Sequence, residues 1–221
     1  MKEKIGLIEY TKTQDMLNCV THAVGAVMGV IVLVASVVKT VRIGSPRMIA
    51  SAIIFGLSFV LVYTASAVYH GLPPGEKKRT ARLIDHSVLP VLIAGTSAPS
   101  ALVPLYNHNM TCCIIVLVLS WGSVIFGVIS KLFFFEKTRK ITVAVYIISC
   151  IIMLSCSVGV IDDIDLHPLY LLILGSVVYL VGGIFCAIGR KRPYFHAVFH
   201  VVVVIASMIH AWTIYTYVFA G

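Results

Sequence analysis

Two histidines stand four residues apart in His196-Ala-Val-Phe-His200. On a helix that spacing puts both imidazoles on one face, within reach of a single metal ion. Ser66-Ala-Val-Tyr-His70 repeats the spacing, with a hydroxyl one turn ahead of a third imidazole. Three neutral imidazoles on a tetrahedral zinc leave one position open to water, the arrangement of catalytic rather than structural zinc. Asp85 is then available to hold that water or orient a ligand, and Ser66 to donate a hydrogen bond. Three histidines with a carboxylate favour zinc over other metals. The competing arrangement pairs the same histidines with each other or with backbone carbonyls, as glue between helices. His22 and His86 are candidates to support the ligands from behind, whereas His108 and His167 read as loop residues and His210 as a structural hydrogen-bonding group.

The elements that position these groups must be membrane helices. Of the 221 residues 59% are hydrophobic and only 12% charged, and the mean hydropathy is +1.00. A bilayer solvates that much apolar surface directly, whereas a soluble domain of this size could not hide it. The net charge of +8 comes from short basic clusters between apolar runs, which is a topology signal and excludes a nucleic-acid partner. The polar start up to Thr21 and the lack of a small-residue cleavage site after an apolar run argue against a removable signal peptide. The six cysteines form no CxxC pair and read as small apolar side chains.

Charge-free intervals run over 16–38, 48–75, 86–130, 141–161, 166–189 and 193–221. A helix needs about 20 apolar residues to cross roughly 30 Å of hydrocarbon. The interval 86–130 is twice that and contains the turn-like cluster Pro104-Leu105-Tyr106-Asn107-His108-Asn109, so it holds two spans. The expected fold is all-α: a cytoplasmic segment 1–17, then one domain 18–221 of seven transmembrane helices. The predicted spans are 18–38, 48–70, 84–104, 111–131, 140–160, 168–189 and 195–218. Gly25 and Gly29 form a GxxxG in the first, a weak signal for dimerisation.

Fourteen of the seventeen Lys and Arg residues fall in the N-terminal segment and the second, fourth and sixth loops. The positive-inside rule then puts the N-terminus in the cytoplasm and the C-terminus outside, along with the acidic loop Asp162-Asp163-Ile164-Asp165. At the cytoplasmic level His70 ends the second span, Asp85-His86 open the third, and His196 and His200 begin the seventh, with His22 near the start of the first. Ionisable groups at such depths are costly, which makes each a functional candidate.

These residues carry a resemblance. Asn18-Cys-Val-Thr21-His22 with Gly25, Ser66-Ala-Val-Tyr-His70, Asp85-His86-Ser87 leading to Gly95-Thr96-Ser97-Ala98-Pro99, and His196-Ala-Val-Phe-His200 occur in the order seen in the hemolysin III proteins. The chain resembles that group, the bacterial branch of the progestin and adipoQ receptor family, over nearly its whole length. The resemblance implies seven helices with a cytoplasmic N-terminus and zinc held by His70, His196 and His200. It also implies that Asp85 meets the zinc through water, with Ser66 nearby. The wider superfamily includes alkaline ceramidases, which implies amide hydrolysis of lipids. Ala197 stands where bacterial relatives often carry an acidic residue, and Ser97 where an aromatic one is common. Both departures bear on pocket polarity and substrate rather than on ligation.

Two functions follow as expectations for a multi-pass protein of the plasma membrane, with membrane lipids as partners. One is a zinc-dependent hydrolase of a lipid amide or ester. The other is a non-catalytic sensor, regulator or receptor-like protein with a structural zinc. A channel or transporter lacks a polar stripe through the outer halves of the spans.

Overall fold

The computed structural model describes residues 6–135, 137–158 and 166–220; the acidic loop Asp162–Asp165 lies outside these. Among the described residues, seven long helices follow one another. They are α1 (Lys12–Ile43), α2 (Pro46–Gly71), α3 (Glu76–Ser100), α4 (Met110–Phe134), α5 (Arg139–Val158), α6 (His167–Gly189) and α7 (Tyr194–Thr213). Six, counting the helical continuations of α3 and α7, are long and apolar enough to cross a membrane, and α5 carries a shorter apolar stretch, Lys140–Cys156.

Local chemistry sets the ends. Thr11 and Gln14 form a capping box at the start of α1, satisfying two backbone N–H groups that the first turn leaves open. Gly44 closes the same helix at φ 78°, a left-handed conformation that costs glycine nothing. Ser45 then caps α2, with Pro46 in the first turn where its missing N–H is harmless. The connection is therefore a two-residue reversal, and it packs α1 and α2 side by side.

The break expected at Pro104–Asn109 is shorter than the sequence suggests. Helix α3 runs on through a π-helical turn, Ala101–Leu105, and a further turn, Tyr106–His108. Widening of the helical turn around Pro99 and Pro104 keeps the chain helical where prolines would otherwise break it. Only Asn109 leaves the helix, and its side chain accepts from the Cys112 N–H to start α4.

Each helix packs on the next in sequence, α5 on α6 only slightly, and α1 also packs on α7, which closes the bundle into a ring. The packing is inverted relative to a water-soluble bundle. On α1, Val20, Val24, Val27, Ile31, Val34 and Val38 point outward, while Asn18, His22, Gly25, Gly29, Ser36 and Thr40 face inward. Small residues let the helix backbones approach closely, and hydroxyls that return to their own helix satisfy themselves without water. Thr40 donates to Ser36 O at 2.8 Å, Ser58 to Phe55 O at 2.7 Å and Ser123 to Ser120 O at 2.7 Å. The main apolar core, around Phe55, Phe59, Tyr63, Leu92 and Val203, is built from α2, α3 and α7 against Val32 of α1.

The GxxxG pair is spent inside the chain. A Cβ on Gly29 would lie 3.0 Å from the Val60 backbone nitrogen, and one on Gly25 would lie 2.7 Å from the Tyr63 ring. Gly29→Leu should therefore force α1 away from α2, an overpacking cost of about 1–3 kcal/mol. Gly183→Leu, where nothing lies within 4 Å, is the matched control. Thermal melting in detergent should fall by several degrees for the first variant and stay unchanged for the second. Equal melting would mean that the α1–α2 contact does not hold the bundle.

Candidate metal centre

His70, His196 and His200 meet at one end of the ring. Each offers one ring nitrogen, and these three atoms lie within 4.8 Å of one another. His70 arrives at the last turn of α2, and His196 and His200 one and two turns into α7. The turn between α6 and α7 fixes the latter pair, because Gly189 lets the His196 backbone approach so closely that a Cβ there would lie 2.9 Å from His196 N. His70 and His200 are buried, at 2% and 1% exposure, and His196 is half-buried.

Hydrogen bonds decide which nitrogens are free to act as ligands. His70 Nδ1 lies 3.3 Å from Asp15 Oδ1, and a carboxylate only accepts, so the Nδ1 carries the proton. His200 Nδ1 faces the Asn18 carbonyl oxygen at 3.2 Å and Thr21 Oγ1 at 3.3 Å, which again places the proton on Nδ1. The Nε2 atoms of both rings then carry bare lone pairs. His70 Nε2 is buried without a hydrogen-bond partner, and His200 Nε2 stands 3.1 Å from His196 Nε2. A proton on His196 Nε2 would satisfy His200 but still leave His70 Nε2 unpaired. A cation on all three nitrogens satisfies the whole set, so the residues fit a metal ion bound through imidazole.

The carboxylate behind His70 is itself fixed. Lys78 Nζ donates to Asp15 Oδ2 at 2.6 Å, and Lys78 is almost fully buried. A carboxylate holding the far nitrogen of a ligand imidazole fixes its tautomer and raises its basicity. Lys78 shares the charge of Asp15 and anchors α3 to α1 at this level.

Asp85 lies at the same end, on α3, with its side chain 15% exposed. Its carboxylate is close enough to act electrostatically on His22, His70 and His196. His86 Nδ1 approaches Asp85 Oδ2 at 3.2 Å, but its N–H is not aligned for a hydrogen bond. The two groups are therefore neighbours without a hydrogen bond, whose strength falls steeply with misalignment. The His86 ring turns toward Phe135 (5.2 Å) and Tyr69 (6.3 Å). Ser66 is buried one turn before His70 on the same helix. His22 stacks flat on His200, with centroids 3.6 Å apart and 17° between planes, and meets Tyr63 edge-on at 5.2 Å. Both His22 nitrogens are buried without partners, as are the side-chain N and O of Asn18 one turn earlier.

His210 is placed as expected from sequence, bonding through Nε2 to the Leu172 carbonyl oxygen at 3.1 Å. A hydroxyl chain crosses nearby: Tyr63 meets Ser207 at 2.5 Å, and Ser207 also bonds to the Tyr179 hydroxyl. It fastens α2, α6 and α7 together and adds polar groups to segments that read as apolar runs.

Sequence reasoning passed over three contributors. Asp15 lies at i−3 from Asn18 and i−7 from His22, the spacing of one helical face, which is a usable signal once α1 is known to begin at Lys12. Lys78 reads in the sequence only as one of the loop charges that set topology. Tyr10, just before α1, lies over the histidines, its ring 5.6 Å from His196 at 26° and 5.6 Å from His70 at 60°. Burial there pushes the Tyr10 phenol well above the usual tyrosine range, so it stays a neutral hydroxyl.

Comparison with known proteins agrees with this architecture. The family profile described as "Haemolysin-III related" matches residues 10–211, which include every residue of the cluster. The chain is 31% identical over 191 residues to a hemolysin-3 homolog of Bacillus subtilis (strain 168), covering 86% of this chain and 88% of that protein. It is 26% identical over 218 residues to hemolysin-3 of Bacillus cereus, covering 99% of this chain and 98% of that protein. The chain belongs to the haemolysin-III related family and is a multi-pass integral membrane protein.

Proposed function

We propose that this protein crosses the membrane seven times, with a cytoplasmic N-terminus, and holds zinc between His70, His196 and His200 as a hydrolase of lipid amides or esters. The observation that carries the metal is the buried, unpartnered His70 Nε2 beside the facing Nε2 atoms of His196 and His200. In hydrocarbon an unpaired polar nitrogen has no water to turn to.

Helix α5, at 20 residues, is about 30 Å long, enough for the hydrocarbon core, which supports the seventh span. The basic residues at the histidine end, including Lys77, Arg79, Arg190, Lys191 and Arg192, support placing that end in the cytoplasm. A protease-cleavable tag at the N-terminus should be cut only in inside-out vesicles, and one at the C-terminus only in right-side-out vesicles. Cutting of both tags from the same side would remove one span from the count.

Held by His70, His196 and His200, zinc would supply Lewis-acid polarisation of an acyl carbonyl and a water activated near neutral pH. In this reading Asp85 takes the proton from the attacking water and passes it to the departing amine or alcohol. Ser66 is available to donate a hydrogen bond to the acyl oxygen as negative charge gathers there. Asp15 holds the His70 ring in the tautomer that leaves Nε2 free, with Lys78 behind it. Acyl chains lie among apolar helices while the scissile bond reaches the cytoplasmic end.

Turnover of N-acyl lipids by purified protein in mixed micelles tests catalysis. Asp85→Asn should lower kcat by about 10²–10⁴-fold with zinc content unchanged. The packing of Tyr10 over the cluster favours a second reading, in which zinc is a structural clasp of a sensor or regulator. Retained zinc without turnover of any amide or ester would select the clasp. A separate titration addresses the support of His70: Asp15→Asn should weaken zinc binding about 10–100-fold. Unaltered affinity would mean that Asp15 only anchors Lys78.

A further inference from the structure

The far end of the bundle carries a second reactive pair. Cys112 sits in the first turn of α4 and Cys156 in the last turn of α5, and the two helices run antiparallel. Both side chains pack on one cluster with Val116 and Met153, which places the two thiols in one layer of the α4–α5 interface. The register is consistent: one turn inward from Cys112 is Val116, and one turn inward from Cys156 is Met153. Both cysteines are partly exposed, whereas the neighbouring Cys113 is 1% exposed. Cys19 and Cys186 lie at the histidine end, one against Gly71 and the other beside Tyr10.

We propose that Cys112 and Cys156 form a reversible dithiol–disulfide site that ties α4 to α5 at the end opposite the histidines. A small-molecule disulfide is the oxidant. One thiol of the pair, as its thiolate, attacks one of the oxidant's sulfurs, releasing one small thiol and leaving a mixed disulfide on that cysteine. The other thiol, having lost its proton to water, then displaces the second small thiol. Two protein thiols and one disulfide become one protein disulfide and two small thiols, with two electrons passing to the oxidant. Packing on one cluster leaves only a side-chain rotation between the two thiols and the approach that an S–S bond of about 2.05 Å demands. The helix being tied is the one with the shorter apolar stretch and only slight contact with α6, so its docking gains most from a covalent link. If that end faces the cell exterior, as proposed above, it also meets the oxidising compartment in which such links persist. The chemistry of the pair does not depend on zinc.

The full chain in its membrane is incubated with oxidised glutathione, denatured and alkylated with N-ethylmaleimide, then digested without reduction. Mass spectrometry should find a peptide containing Cys112 linked to one containing Cys156. Two fewer of the six cysteines should be alkylated than in reduced protein. The link should form at least tenfold faster than oxidation of any other cysteine, survive Cys113→Ser and Cys150→Ser, and disappear with dithiothreitol. Alkylation of all six, a link through Cys113, a link between two copies, or a glutathione adduct that never resolves would each overturn the proposal.

Discussion

A hydrocarbon interior offers no water to a polar atom, so every buried nitrogen must find a partner within the protein or bind something that replaces one. At the histidine end this constraint organises most of what surrounds it. The Asp15 carboxylate holds His70, the Asn18 carbonyl holds His200, and the buried Lys78 ammonium holds Asp15. With the Nδ1 atoms of His70 and His200 engaged, their Nε2 lone pairs are left over, that of His200 facing His196 Nε2 and that of His70 without a partner, an arrangement that a cation or proton would relieve. On the proposed reading, the preparation of these lone pairs, more than the presence of three histidines, is what separates a metal site from ordinary interhelical hydrogen bonding.

The ring architecture makes that convergence possible. Helix α1 touches both α2 and α7, and the small residues on its inner face bring the three backbones close. That approach places His22 flat against His200 and Asp15 beside His70, so α1 braces the cluster without supplying one of its three imidazoles. Away from this end, the hydroxyl chain of Tyr63, Ser207 and Tyr179 and the Leu172 contact of His210 hold α2, α6 and α7 in register. The polar groups thus form two layers, one tied by hydroxyl and carbonyl contacts with His210 Nδ1 left over, the other with unpaired nitrogens on His22 and His70.

Much of this was legible in the sequence, for physical reasons. The i, i+4 spacing of His196 and His200 follows from helix geometry alone, and charge-free runs locate helices because lipid tolerates little else. Depth along those runs brought His70, Asp85 and His200 to one end. The parts that were not legible depend on tertiary packing. Asp15 and Lys78 sit in segments where charge is ordinary, and only the fold reveals that both turn inward. The Pro104–Asn109 cluster reads as a turn, yet a π-helical turn absorbs its proline and moves the break to Asn109. The shared packing of Cys112 and Cys156 on one cluster joins residues 44 positions apart and requires the α4–α5 register.

Metal content per chain, measured by elemental mass spectrometry after purification in detergent without chelator, tests the central claim most directly. The account predicts about one zinc per chain in the unmodified protein and loss of it in both His196→Ala and His200→Ala, with the variants still folded by circular dichroism. A chain that carries no metal, takes up none when zinc is added, and melts at the same temperature with or without it would contradict the account. The histidines would then be glue between helices.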